Sequence, residues 1–479
     1  MILDHTPLAW HPMDREVFRR YAGLSLPRHV AYPMPTWWGE MDEAAARTLY
    51  GEYFSYAAAH DLSLYVHIPF CAELCKFCAC NRVILGRSRV PAEERVERYL
   101  AALEREIRMV AALNRQGKPL RQIHWGGGSP TYLTASQIER IHGVVRDSFD
   151  VSDDAEIAME MDPRGASGEK LPALRGMGFN RASIGVQDFD PRVQEHVRRE
   201  QPYEIVAEFV ERCRKLDFDS VNFDLIYGMP FQTVETMDQT VRQAIQLSPD
   251  RVAFYHYAQI PDKIATQRGM DYAHLPDSET KLDMFLQSYD RFTEAGYEFI
   301  GLDHFAKPGE GLSRALREGT IQRNFQGMTT GGDLALLGVG ASAIGHLPGM
   351  GYLQNLKETE DYVARLESGQ MAVERGKRFT EEDCIRQAVV GQLYCLGRIV
   401  PEEIDSAFGI CFGRHFAREL DIMEELARDG LVEMDGAGEM HATMPLGRVL
   451  LRNLAAVFDA YLHPEAYRKG ELHCFSVNA

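Results

Sequence analysis

The chain has 479 residues, 45% hydrophobic and 25% charged, the profile of a globular protein with room for more than one domain. Its 52 Lys and Arg against 70 Asp and Glu leave a net charge of −18, which argues against a nucleic-acid binder, since phosphate contacts need a basic face. No apolar stretch reaches membrane-spanning length, and MILDHTPLAWHPMDREVF has no basic start followed by an apolar run. A cytoplasmic, reducing setting without a membrane partner is therefore expected.

Residues 1–60, with the Pro- and aromatic-rich RYAGLSLPRHVAYPMPTWW, read as an extended arm lying over an active site. Six β-like runs follow: LSLYVHIPF (62–70), QIHWGGG (122–128), EIAMEMDP (156–163), RASIGVQDF (181–189), SVNFDLIYGMP (220–230) and RVAFYHYA (251–258). Between them lie helical patterns such as AEERVERYLAALEREIRMVAAL, apolar at i, i+3, i+4 and i+7. This alternation predicts an α/β fold, an incomplete TIM-like (β/α)6 barrel with an extension over residues 61–362. Chemistry in such barrels sits at the C-terminal strand ends, and the cysteines, the glycines after 125, Glu160, Asp162, Gln187 and Asp224 fall at or near those ends. A further strand-like run, YEFIGLDHFAK (297–307), leads into QRNFQGMTTGGD, and residues 363–380 read as a linker. Residues 380–462 are expected to be mainly helical, with a hairpin at LVEMDGAGEMHAT, giving a winged-helix-like C-terminal domain. With 15 acidic and 7 basic residues over 380–460, a lid or docking role suits it better than DNA binding.

The densest chemistry lies in HIPFCAELCKFCACN (67–81), where Cys71, Cys75 and Cys78 form C-x3-C-x2-C and Cys80 follows. Three thiolates on one loop can hold three corners of a [4Fe–4S] cube and leave the fourth iron open, whereas electron-carrying clusters have all four irons ligated. Zinc is the alternative, but zinc sites use two separated pairs and no second pair or H-x3-H follows. A disulfide framework fits poorly with nine cysteines, an odd count, five of them scattered. The spacing resembles that of radical S-adenosylmethionine (SAM) enzymes. The glycines of Gly126–Gly127–Gly128–Ser129–Pro130 would let backbone approach a ligand, as at the SAM amino-acid site. Glu160, among apolar Ala158, Met159 and Met161, resembles the SAM-binding carboxylate.

SLYVHIPFC, HWGGGSPTYL, EMDPR, IGVQDF, NFDLIYGMP, HFA, RNFQG and GRVLLRN–FDAYL together resemble the oxygen-independent coproporphyrinogen III oxidases over residues 20–462. The resemblance implies Cys71, Cys75 and Cys78 as cluster ligands, with Cys80 a non-ligand needed for activity. It implies two SAM molecules, the first contacting Tyr65, Gly127, Glu160 and Ile344 and the second Phe77, Gly128, Ser129, Gln187, Arg199, Asp224 and Ala258. Arg199 with Asp224 could clamp a carboxylate and a ribose, or form an ordinary ion pair. Phe325 and Gln326 match a pair associated with activity, and Arg28, Arg164 and Arg323 are candidate cations for substrate propionates. The implied reaction converts two propionates of coproporphyrinogen III to vinyls through 5′-deoxyadenosyl radicals, giving protoporphyrinogen IX, in a monomer served by a low-potential electron donor. His29–Val30–Ala31 in the arm, Gln322 and Met328 depart from the family pattern on the substrate side. A class C radical SAM methyltransferase, a haem chaperone and a zinc scaffold are the rival readings.

Overall fold

The structure is a computed structural model describing residues 12–24, 26, 29–56, 60–85, 92–165, 168–436 and 438–462. Two compact units emerge: Trp38–Asp224 with Asp333–Phe379, and Met1–Trp37 with Leu225–Gly332 and Thr380–Ala479.

The first unit carries the parallel strands β1 (Leu62–Ile68), β2 (Leu120–Gly127), β3 (Val151–Met161) and β4 (Arg181–Gln187), in that spatial order, and most of β5 (Ser220–Tyr227). Five of the seven β1 residues are hydrophobic and six are fully buried, as a strand sandwiched between layers requires. Register is fixed at the ligand-facing end, where His67 lies beside Gly126 and Ile68 beside Gly127. The strand Ala335–Val339 runs parallel to β1 on its other side. From there the sheet continues antiparallel through Ile344–Leu347, Gly351–Asn355 and Val373–Arg378. The crossover helix Ala92–Ala111 buries Val96, Leu100, Leu103, Ile107 and Val110 along one stripe, at helical spacing. The next helix, Ala135–Ser148, starts at a Thr134/Gln137 capping box.

In the second unit, β6 (Arg251–His256) follows the end of β5 and is flanked by antiparallel His304–Ala306 and then Glu298–Gly301. The six strands of the expected (β/α)6 pattern are thus all present. Arg323–Asn324–Phe325–Gln326–Gly327 forms a tight hairpin: Gln322–Asn324 pairs with Gly327–Thr329, and Phe325 and Gln326 are its two tip residues. The C-terminal segment packs helices Glu381–Leu396, Pro401–Phe408 and Ala417–Arg428 with a three-stranded sheet, Arg398–Ile399, Met440–Ala442 and Val432–Met434, a winged-helix arrangement.

Two stretches differ from the sequence expectation. The segment read as an extended arm contains helices Pro12–Ala22 and Glu43–Ser55, the second started by the Asp42 side chain accepting from the Ala45 N–H. The segment 363–380 is no linker: it holds the end of helix Thr359–Glu367 and the strand Val373–Arg378, whose pairing with Gly351–Asn355 supplies the order that its polar sequence does not advertise.

Candidate active site

The cysteine loop leaves β1 and is pinned at several points. Phe70–Cys71 pairs with Val83–Ile84, the Val83 N–H donates to the Pro69 carbonyl (2.7 Å), and the Cys78 N–H donates to the Cys75 carbonyl (3.3 Å). His67, buried at the end of β1, has Nε2 2.9 Å from the Asn81 carbonyl and Nδ1 3.1 Å from the Tyr65 hydroxyl. Burial lowers its pKa, so the ring is a neutral clamp across the loop base.

Beneath the loop lies a group the sequence reading passed over. Tyr99 donates to the His67 carbonyl (2.7 Å) and accepts from the Ala341 N–H (3.0 Å). Fully buried Glu106 accepts from Gly340 N–H, Tyr362 Oη and Asn355 Nδ2, each at 2.6 Å. Burial pushes the Glu106 carboxyl up to about 7 despite these donors. Only its place on the buried stripe of an amphipathic helix hinted at this.

Next to the loop, the glycines of β2 are close-packed for reasons that differ. A Cβ on Gly126 would meet Glu160 Oε1 at 2.6 Å, one on Gly127 the His67 ring at 2.6 Å, and one on Gly128 the Pro69 carbonyl oxygen at 2.6 Å and Cys71 Sγ at 3.0 Å. Gly127 also has φ +114°, closed to other residues. The Gly128 N–H donates to the Ile68 carbonyl and the Ser129 N–H to that of Phe70, so strand end and cysteine loop are laced together by backbone.

Glu160, near the end of β3, accepts from the Gly127 N–H at 3.1 Å, and its Oε1 lies 3.2 Å from His124 Nε2. Burial raises its pKa, but the His124 hydrogen bond and charge and the Gly127 N–H outweigh it, so the carboxyl stays ionised below its ordinary range. His124, whose ring stacks on Tyr65 with centroids 5.9 Å apart, was not picked out from the sequence. Its signal is alternation: it lies two residues before Gly126 and so shares that face of β2.

Arg199 donates to the Gly185 carbonyl through Nε (3.1 Å) and Nη2 (2.7 Å), and its Nη1 is 3.8 Å from Cys75 Sγ and 3.8 Å from Asp162. Asp224 instead accepts from Asn222 (3.0 Å), and burial followed by the Glu160 charge pushes its carboxyl up to about 7. Arg164 pairs with Asp162 through both Nε and Nη2 and with Glu73 (2.9 Å), so two carboxylates share its charge. Gln187 closes β4 at φ +69°, a conformation rare outside glycine that costs on the order of 1–3 kcal/mol and is typical of binding sites. Phe77 lies within the loop, and Ile344 opens its strand with its backbone against Gly338. In the other unit, the Ala258 carbonyl accepts from Gln267 (2.9 Å) and the Gln326 N–H donates to the Asn324 side chain (2.9 Å). Arg28 lies outside the described residues.

The donor set fits an iron–sulfur cluster. Cys71, Cys75 and Cys78 lie on one loop held by the pairing of Phe70–Cys71 with Val83–Ile84 and by the Cys78 N–H to Cys75 carbonyl bond, a three-thiolate set of the kind such a cluster takes. Cys78 and Cys80 differ sharply: the Cys80 hydrogen bond draws the Cys78 thiol down to about 6, while Cys80 is pushed well up. Burial and the neighbouring thiols push Cys71 up to about 12, a proton that cluster binding would displace.

A pinned three-cysteine loop, beside a glycine-edged strand end and an ionised carboxylate, defines a radical SAM enzyme, and the Radical SAM superfamily model matches residues 65–244. Such an enzyme uses a [4Fe–4S] cluster and SAM. The oxygen-independent coproporphyrinogen III oxidase of Salmonella typhimurium is 42% identical over 457 residues, 95% of this chain and 96% of that protein. The enzyme of the same name from Escherichia coli K12 is 40% identical over 453 residues, with 95% and 96% covered. The solved structure of coproporphyrinogen III oxidase from Escherichia coli, described as a radical SAM enzyme, superposes with a TM-score of 0.87 at 40% identity, covering 95% of this chain and 100% of that one. The chain belongs to the family of oxygen-independent coproporphyrinogen III oxidases. The methyltransferase and chaperone readings are not favoured.

Proposed function

We propose that this chain performs the oxidative decarboxylation of two propionates of coproporphyrinogen III to vinyls, giving protoporphyrinogen IX in haem biosynthesis. The observation that carries this reading is the ionised Glu160, held by His124 and Gly127 beside the cysteine loop, in a chain that matches its family almost end to end. Cys71, Cys75 and Cys78 would hold the cluster, with Cys80 beside them as a non-ligand. When bound, the reduced cluster supplies the electron that splits SAM into methionine and the hydrogen-abstracting 5′-deoxyadenosyl radical.

The protein's own groups bind and orient. Glu160 accepts from the SAM ammonium through oxygens already ordered by His124 and Gly127, at little cost in reorganisation. Tyr65 and Ile344 complete this first SAM site. Phe77, Gly128, Ser129, Gln187, Arg199 and Asp224 are the residues of its unit assigned to a second SAM. Arg199 places its guanidinium 3.8 Å from Cys75 Sγ, beside the cysteine loop. Phe325 and Gln326, the two tip residues of the hairpin and each half-buried, serve the substrate side. A low-potential electron donor, a monomeric state and a cytoplasmic location complete the reading, and no helix among the described residues is long and apolar enough to cross a membrane. The test is anaerobic turnover with coproporphyrinogen III deuterated at the propionate β-carbons. Deuterium should appear in 5′-deoxyadenosine, and its absence there would refute the reading.

A further inference from the structure

The second unit contains a partly solvent-open pocket whose lining includes Tyr227 at the end of β5 and His256 at the end of β6. Those are the strand ends where barrels of this class assemble their chemistry. Lys281, Arg448 and Arg452 line the cavity and Asp303 is its one acidic lining residue, so a chain of charge −18 concentrates a local excess of +2 here.

Arg448 is the unusual member. It is only 8% exposed, and no carboxylate acts on its guanidinium among the described residues; its neighbours are the Phe299 ring, 5.9 Å from Cζ, and the backbones of Gly301 and Gly397. A Cβ on Gly397 would lie 1.3 Å from Nη1, so the glycine makes the berth. Burial lowers the guanidinium pKa to about 10, which leaves it charged at neutral pH and costly to desolvate without an anion. Lys281, 7% exposed, is in the same position: burial lowers its pKa, and among the described residues the one carboxylate acting on it is Asp277, the cap of its own helix. Arg323 also faces this region, for it and Arg448 both act on the Cys395 thiol, opposing the burial that pushes it up to about 12.

We propose that this cavity anchors one carboxylate of the tetrapyrrole substrate, with Arg448 and Lys281 holding a propionate and Tyr227, Leu282 and Phe285 covering the attached pyrrole. Guanidinium and carboxylate meet bidentately, which fixes orientation as well as position. The inference rests on the substrate reading above and deepens it by naming cations other than Arg164, whose charge Asp162 and Glu73 share. Because the family resemblance places a second SAM contact at Ala258, another lining residue, the methionine carboxylate is the other source of the same chemistry.

The test is equilibrium dialysis of coproporphyrinogen III, its tetramethyl ester and SAM against the anaerobically reconstituted holoenzyme. Arg448→Met should weaken coproporphyrinogen III binding at least tenfold, Arg448→Lys less, and Lys281→Met severalfold. The tetramethyl ester should bind the wild type weakly and be indifferent to Arg448→Met, with SAM affinity and the cluster's electron paramagnetic resonance spectrum unchanged. Unaltered coproporphyrinogen III affinity in Arg448→Met and Lys281→Met overturns the assignment, and loss of SAM affinity alone transfers the cavity to the second SAM. A wild type that binds SAM but no coproporphyrinogen III refutes the substrate reading itself, and this subsite with it. Should Arg448→Met fail to fold, Lys281→Met carries the same comparison.

Discussion

Alanine at Gly126 and at Gly128 should separate SAM binding from cluster binding. Gly126 lies in β2 without a positive φ, so alanine fits the backbone there. Its Cβ would stand 2.6 Å from Glu160 Oε1 and 2.8 Å from Cδ, and the carboxylate must swing away from His124 and the Gly127 N–H. Two hydrogen bonds to an ionised carboxylate, at about 1.5–3 kcal/mol each, are lost, offset by ~0.5–1 kcal/mol for replacing a strand glycine. Stability therefore falls by about 2–5 kcal/mol. SAM binding falls with it. A charge-assisted hydrogen bond is worth about 1.5–3 kcal/mol, or a 10- to 150-fold rise in Kd. At Gly128 the obstruction is the Pro69 carbonyl and Cys71 Sγ, backbone and ligand rather than a movable side-chain end. Alanine there should displace the cysteine loop and lower the iron and sulfide retained after reconstitution. The assay is anaerobic reconstitution, iron and sulfide analysis, then titration calorimetry with SAM. A Gly126→Ala protein that binds SAM as the wild type does would refute the role given to Glu160.

Serine at Cys71, Cys75 or Cys78 should abolish the cluster's visible absorbance, while Cys80→Ser should retain it and lose turnover; loss of the cluster in Cys80→Ser would make it a ligand. Asp224 and Glu106 both have folded pKa values of about 7, above the ordinary 3.8 and 4.5. The native state therefore holds extra protons between about pH 4 and 7, and their stabilisation, full at the acid end, is lost as pH rises through 7. Asp224→Asn should flatten the fall in urea midpoint between pH 5.5 and 8, and an unchanged slope would contradict the raised value. Gly397→Ala should cost at least about 1 kcal/mol, since the residue caps a helix at φ +68° and its Cβ would strike Arg448. Thermal unfolding within 1 °C or so of wild type would refute that packing.

The parallel strands were legible because buried strands read as apolar runs, as LYVHI and FDLIY do. The cysteine loop was legible because cluster chemistry fixes ligand spacing along the chain. Contacts between distant segments were not. Nothing near Gly126 announces that Glu160 comes within van der Waals reach, and no motif ties Glu106 to Gly340, Asn355 and Tyr362. VERGKR in Val373–Arg378 resembles linker sequence because its strand buries only its first and fourth residues. Glu43–Ser55 is hard to see in the sequence because a Pro- and aromatic-rich stretch without periodicity runs up to its Asp42 cap. Nor does MDPR itself show that Asp162 takes Arg164 bidentately two residues on.

The most direct test of the account is mass spectrometry of coproporphyrinogen III incubated anaerobically with the reconstituted protein, SAM and a low-potential reductant. The account predicts loss of two CO2 units with formation of vinyls, 5′-deoxyadenosine and methionine. Formation of 5′-deoxyadenosine with all four propionates of the tetrapyrrole intact would contradict it.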